Sequence, residues 1–145
     1  MGRPLITFEV RGIPVPQGSK DAFVNPKTGK AIVVESGGAP HKNWRASVAL
    51  RAQDAMNGSG LMDGPVRVTL TFRLPRPASE PKTKRTYPVK ARSGDVDKLA
   101  RAVLDALTGV VFGDDSQVVT LVVNKDFGDP GVRVKVWPLP SFRLA

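Results

Sequence analysis

Between Val66 and Leu74 the chain alternates without a break. Val66, Val68, Leu70, Phe72 and Leu74 fall on one side, and Arg67, Thr69, Thr71 and Arg73 on the other. A period of two predicts a strand with one buried face and one wetter, basic face. Pro75 and Pro77 end it, because proline donates nothing to a ladder. Leu5 to Val10 alternates more weakly and predicts a first strand. Phe23-Val24 and Ala31 to Val34 flank the turn-forming run Asn25-Pro26-Lys27-Thr28-Gly29-Lys30, the pattern of a hairpin. Val118 to Val123 is dense in β-branched residues and reads as a buried strand. Val132, Val134 and Val136 then alternate with Arg133, Lys135 and Trp137, and the turn from Asp126 to Gly131 predicts that these last two strands are adjacent and antiparallel.

Two segments carry the helical period instead. Val96, Leu99, Ala100, Val103, Leu107 and Val110 recur at three- and four-residue spacing and predict one apolar stripe, with Asp97, Arg101, Leu104, Asp105 and Thr108 on another side. From His41 to Asn57, the residues Trp44, Val48, Ala52, Ala55 and Met56 form a second stripe, stopped at Asn57-Gly58, with Trp44 expected to anchor that helix to a sheet. Residues 75–90 hold four prolines with Lys82, Lys84, Arg85 and Lys90, a poor candidate for regular structure. The economical architecture is a small mixed α/β domain spanning residues 1–145. Its sheet is mainly antiparallel or mixed, two principal helices pack on one face, and residues 138–145 form a tail.

Charge sharpens this picture. Lys and Arg total 22 against 13 Asp and Glu, a formal net charge of +9 in 145 residues. Such a balance suggests a polyanionic partner and says nothing of fold. The chain has no cysteine, which excludes disulfides, thiolate metal sites and cysteine nucleophiles, and its single histidine, His41, cannot join a histidine-based metal cluster. No segment approaches a membrane span, and the start lacks a secretory signal, so a cytoplasmic protein is expected, with no membrane partner and no organic cofactor. Pro16-Gln17-Gly18-Ser19-Lys20 offers a glycine and a lysine to phosphate but lacks the Gly-Lys-Ser/Thr ending of a P-loop; it reads as a surface loop.

Against this basic background the acids Asp95 and Asp97 stand two residues apart at the start of the more regular helix, and a second pair, Asp114-Asp115, follows it. Carboxylates without histidine suit magnesium or manganese better than zinc. Asp95, Asp97 and Asp115 are therefore the candidate metal ligands of a DNA nuclease. The bland alternative is that they cap the helix or form a turn. Arg101 lies one turn after Asp97. It is either an intrahelical partner or a clamp for a phosphate under attack. Lys98 is suited to the same part, and Asp105 is expected to pair with Arg101. Lys82, Lys84, Arg85, Lys90, Arg92, Lys98, and with them Arg67 and Arg73, are the candidate contacts to nucleic acid.

Asp95-Val96-Asp97-Lys98-Leu99, Asp105-Ala106-Leu107 and Asp114-Asp115-Ser116-Gln117-Val118 occur in this order, and the composite resembles the RusA family of phage-type Holliday junction resolvases. The resemblance implies a small α/β homodimer that resolves four-way DNA junctions by paired, magnesium-dependent incisions, with manganese as a substitute ion. It also implies that Asp95, Asp97 and Asp115 are metal ligands and that Arg101 is the basic catalytic residue. The best-known member has lysine at the position of Arg101; a guanidinium keeps the charge and favours phosphate binding over proton donation. Two rival readings use the same basic surface: a noncatalytic DNA-binding protein of recombination or replication, and a structural protein that binds RNA electrostatically.

Overall fold

The structure, a computed structural model, describes residues 4–17, 20–24, 31–35 and 38–140. The turn expected at residues 25–30, Gly18, the side chains of Lys20 and His41, and the tail beyond Pro140 lie outside the described residues. In chain order the elements are β1 (Ile6–Arg11), β2 (Lys20–Val24), β3 (Ala31–Glu35), α1 (Gly38–Met56), β4 (Val66–Leu74), α2 (Val96–Leu107), β5 (Val118–Phe127) and β6 (Gly131–Pro138). β2 and β3 pair as the expected antiparallel hairpin. The main sheet has the order β1-β6-β4-β5. β6 is antiparallel to both β1 and β4, whereas β5 runs parallel to β4.

β4 is the central strand, and its alternation translates directly into burial: the five apolar positions are buried and the four polar ones half-exposed. The apolar side meets Val132, Val134 and Val136 of β6, Ile6, Phe8 and Val10 of β1, and the stripes of both helices in one core. From α1 come Trp44, Val48, Ala52 and Met56, so Trp44 does anchor its helix against the sheet. α1 begins at Gly38, three residues before His41, where the apolar pattern placed its start. From α2 come Leu99, Ala100, Ala102, Val103, Ala106 and Leu107. Val96, expected on that stripe, is 43% exposed, because it is the first helical residue and lines an open cleft beside Leu121 and Val123 of the edge strand.

Two expectations about the last strands are corrected. β5 and β6 are not neighbours: β4 lies between them, and the Asp126–Gly131 turn steps across the carboxyl end of β4, where Gly128 N donates to Leu74 O at 3.0 Å. β5 is also not buried. It is the edge of the sheet, with Val119 61%, Leu121 42% and Val122 38% exposed. A β-branched run is the common mark of a parallel strand covered on both faces, and here the parallel partner is present while the outer cover is not.

Gly131 shows how tightly β1 is seated on β6. A Cβ there would stand 2.3 Å from the carbonyl oxygen of Val10, a backbone atom that cannot swing aside. Gly131→Ala should therefore lower the unfolding free energy by about 1–3 kcal/mol, the usual cost of overpacking. The check is a urea titration in which the midpoint falls and the slope stays constant; an unchanged midpoint would show that β1 is not held at this register.

Candidate functional site

The start of α2 is built by three separate pieces of chain. Gly94 has φ +86°, and a Cβ there would meet Pro16 at 3.2 Å and Leu99 at 3.3 Å, so a side chain is disfavoured by both conformation and space. Lys125 Nζ of β5 donates to Gly94 O at 2.8 Å and to Ser93 Oγ at 2.9 Å. Gln17 N donates to Lys98 O at 3.0 Å, laying the loop after β1 along the helix. Asp95 then occupies the helix cap with extended backbone, yet its side chain makes no capping hydrogen bond. The capping alternative thus fails for Asp95, whose carboxylate instead lies 3.9 Å from Lys98 Nζ.

The second acidic pair is held by a knot around Gln117. Its Oε1 accepts from Gly113 N at 2.9 Å and Asp114 N at 3.1 Å, and its Nε2 donates to the carbonyls of Met62 and Gly64, each at 2.9 Å. Asp114 closes a capping box by accepting from Ser116 N at 2.9 Å, and that bond holds its carboxyl below the ordinary value. For Asp114 the structural role is real. Asp115 is in the opposite position. Partial loss of solvent, then the neighbouring carboxylates of Asp114 and Asp105, push its carboxyl up, with the Arg101 guanidinium opposing.

Asp97, Arg101 and Asp115 line one cleft of about 380 Å³ between α2 and β5, with Ala100, Leu104, Leu121 and Val123 as its apolar walls. Asp115 faces the turns of α2 around Arg101 and Asp105. Asp95 is not part of the lining; six residues before Arg101, it lies roughly 9 Å away along the helix axis. Among the described residues no three acidic or histidine side chains stand close enough to hold an ion together. The donor chemistry nevertheless fits a hard divalent cation. Every candidate ligand is a carboxylate, and Asp115 carries like charges around it that only partly meet a counter-charge.

Asp105 does not pair with Arg101 as expected. It accepts a short hydrogen bond from Gln17 Nε2, which leaves Arg101 facing the cleft. Gln17, Gln117 and Lys125 are the positioning residues that the sequence alone did not single out. Gln117 stood inside the Asp-Asp-x-Gln-Val segment and Gln17 in the early proline-rich loop, but a side-chain amide carries no chemical signature of its own.

The basic candidates divide into groups. Lys82, Lys84, Lys90 and Arg92 are exposed in the segment that leads into Asp95. Arg85 is tied to Asp126 at 2.6 Å and lies over the Tyr87 ring at 4.7 Å. Arg67 and Arg73 stand on the other face of the sheet from the helices. There Arg67 stacks 5.1 Å from Trp137, and Arg73 lies 3.4 Å from Glu9 and donates to Asp129 O at 3.1 Å.

A cleft lined by two acids and an arginine between a crossover helix and an edge strand, with a lysine- and arginine-rich segment preceding that helix in the chain, defines a small basic α/β protein. The family model described as endodeoxyribonuclease RusA matches residues 14–137, and the chain belongs to that family. A protein of Bacillus subtilis (strain 168), described as uncharacterized protein YqaN, is 32% identical to it over 140 residues, covering 90% of this chain and 94% of the relative. Family membership supports a resolvase-type nuclease in general terms.

The Gln117 knot gives a direct test of how Asp115 is held. Gln117→Ala leaves two amides and two carbonyls without a partner, each a group that is costly to strand. It should reduce stability by about 1–3 kcal/mol and release the 113–117 turn, read as faster amide exchange at Gly113 and Asp114. Unchanged exchange there would mean that the turn holds itself.

Proposed function

We propose that this protein is a magnesium-dependent, structure-selective endodeoxyribonuclease that resolves four-way DNA junctions by paired phosphodiester hydrolysis. The observation that carries this reading is the shared cleft of Asp97, Arg101 and Asp115, brought together from two elements in a chain of charge +9. Asp97 and Asp115 would hold the ion, with Asp95 joining them by turning from Lys98; manganese would serve as well as magnesium. The chemistry such an ion supplies is an activated water and a counter-charge to the phosphate. Arg101 grips a phosphate oxygen, where its fixed fork of donors orients the group and offsets the charge that grows on it. Lys98, 3.9 Å from Asp95, is a second cation beside that carboxylate and is available to a phosphate once Asp95 turns.

Junction resolution needs two cuts related by symmetry, which a two-fold dimer supplies. The edge of β5 is the natural seat for a second copy. Residues 118–123, Val-Val-Thr-Leu-Val-Val, contain no charge and no proline, two of the devices that protect a solitary edge, and the one irregularity is a bulge at Val119 near the strand's start. Leu121 and Val123 also wall the cleft, so pairing there sets the two clefts on either side of the symmetry axis. Val119→Lys and Val122→Lys should convert a dimer to a monomer in sedimentation while the circular-dichroism spectrum is retained. A dimer that survives both substitutions would move the interface elsewhere.

Lys82, Lys84, Lys90, Arg92 and Lys98 would follow the DNA backbone toward the cleft; Arg85 would do so beside its partner Asp126. Arg67 and Arg73 would meet only an arm that passes over the open sheet face. Replacing Lys90 and Arg92 with glutamine should reduce the slope of log affinity against log salt by about two. An unchanged slope would remove both from the footprint.

Asp95→Asn, Asp97→Asn and Asp115→Asn keep shape and one oxygen but remove a charge. Each should reduce metal-dependent cutting of an end-labelled four-way junction by at least roughly a hundredfold while binding persists, an effect of about 2.7 kcal/mol. Arg101→Ala should lose a comparable amount. Tight binding without cuts in magnesium or manganese would favour the noncatalytic reading.

A further inference from the structure

A second pocket of about 360 Å³ lies at the carboxyl end of the one parallel strand pair. Leu74 and Phe127, the register-paired last residues of β4 and β5, form its floor, and Ile13 and Pro14 flank it. In open α/β sheets this end of parallel strands is where ligands settle, and the volume is within the range of about 300–1,000 Å³ that small-molecule sites occupy. Its rim carries Arg76, Lys90 and Arg92 against the single carboxylate of Glu80. Arg76 donates to Pro81 O and lies 5.7 Å from the Phe127 ring, so its guanidinium is fixed at the entrance. Ser93 closes the far wall. It donates to Lys90 O at 2.7 Å and accepts from Lys125 Nζ at 2.9 Å.

We propose that this pocket receives one unstacked nucleotide of the branched DNA, its base in the apolar slot and its phosphate among Arg76, Lys90 and Arg92. The inference rests on the nuclease reading and adds to it a binding site for the substrate. Charge complementarity selects the occupant, since an apolar slot with three cations at its rim suits a group that is flat and apolar at one end and anionic at the other. Extruding a base from continuous duplex loses stacking and pairing, but stacking is already interrupted where strands exchange, and there the cost is least. Ser93, on the pocket wall, precedes Asp95 by two residues, a reach of at most about 7 Å. Arg101, in the cleft, is roughly 9 Å further along the helix, so at roughly 3.4 Å of rise per nucleotide along a strand the captured base belongs within about five nucleotides of the phosphate that is cut.

The test places 2-aminopurine, one position at a time, within about five nucleotides of the exchange point of a four-way junction. The full chain is then added in EDTA, where no cutting occurs. One or two adjacent positions should brighten at least threefold as the base leaves the stack. Ile13→Phe and Val89→Phe enlarge exposed side chains that line the slot. They should retain the melting temperature of the unaltered protein and, at concentrations that saturate the junction, lose most of the brightening. No brightening at any position, whether or not a complex forms, overturns the proposal, as does equal brightening with both filled variants. The same preparations assayed in magnesium keep the two readings apart. Cutting without brightening leaves the nuclease standing and removes the pocket, and brightening without cutting does the reverse.

Discussion

The parallel pairing of β4 with β5 is the constraint on which the rest of the molecule depends. Parallel neighbours cannot be joined by a tight turn, so the chain must leave the carboxyl end of β4, cross over the sheet and re-enter at the amino end of β5. That return path is residues 75–117, and it contains the basic approach, the helix with Asp95, Asp97 and Arg101, and the turn with Asp115. α2 is held along β5 by its core stripe, by Lys125 at its start and by the Gln117 knot after its end. The cleft is the space that this crossover leaves between helix and edge strand. The second pocket is the space left where the same crossover departs.

Charge is distributed along that path in an order that matters. Cations lead in, acids follow, and the carboxylates that make a structural bond differ from those that do not. Asp114 accepts from Ser116 and Asp126 from Arg85, and both are held below the ordinary carboxyl value by those bonds. Asp95 makes no capping bond, and Asp115 is crowded by like charges that push it up. Asp97 and Asp115 face one groove, and among the described residues neither makes a structural hydrogen bond like that of Asp114. A divalent cation bound there, as proposed, would offset the repulsion between them.

Much of this was legible in the residues, and the failures have physical causes. The strict alternation of β4 and the stripes of both helices predicted their burial, because a buried face and a period are the same fact seen twice. β5 was misread because a run of five apolar residues and a threonine records only that a strand avoids water. It does not record whether a helix, a second sheet or another molecule covers it. The neighbour of β6 was misread because a short turn names the next strand in sequence, and here the turn hops over the end of β4 instead. Asp95, Asp97, Arg101 and Asp115 were singled out by charge and order, but spacing along a helix could not reveal that Asp95 leans to Lys98 outside the cleft lining. Gln17 and Gln117 were invisible because their work is to hold backbone and carboxylate in place.

The central claim is that the groove between α2 and β5 holds a divalent ion through Asp97 and Asp115. Anomalous scattering from crystals soaked in manganese tests it most directly. The account predicts one strong peak per chain in that cleft, within about 2.5 Å of a carboxylate oxygen of each of the two residues, and its loss in Asp115→Asn. A fully occupied manganese elsewhere with the cleft empty, or a peak that persists unchanged in Asp115→Asn, would contradict it.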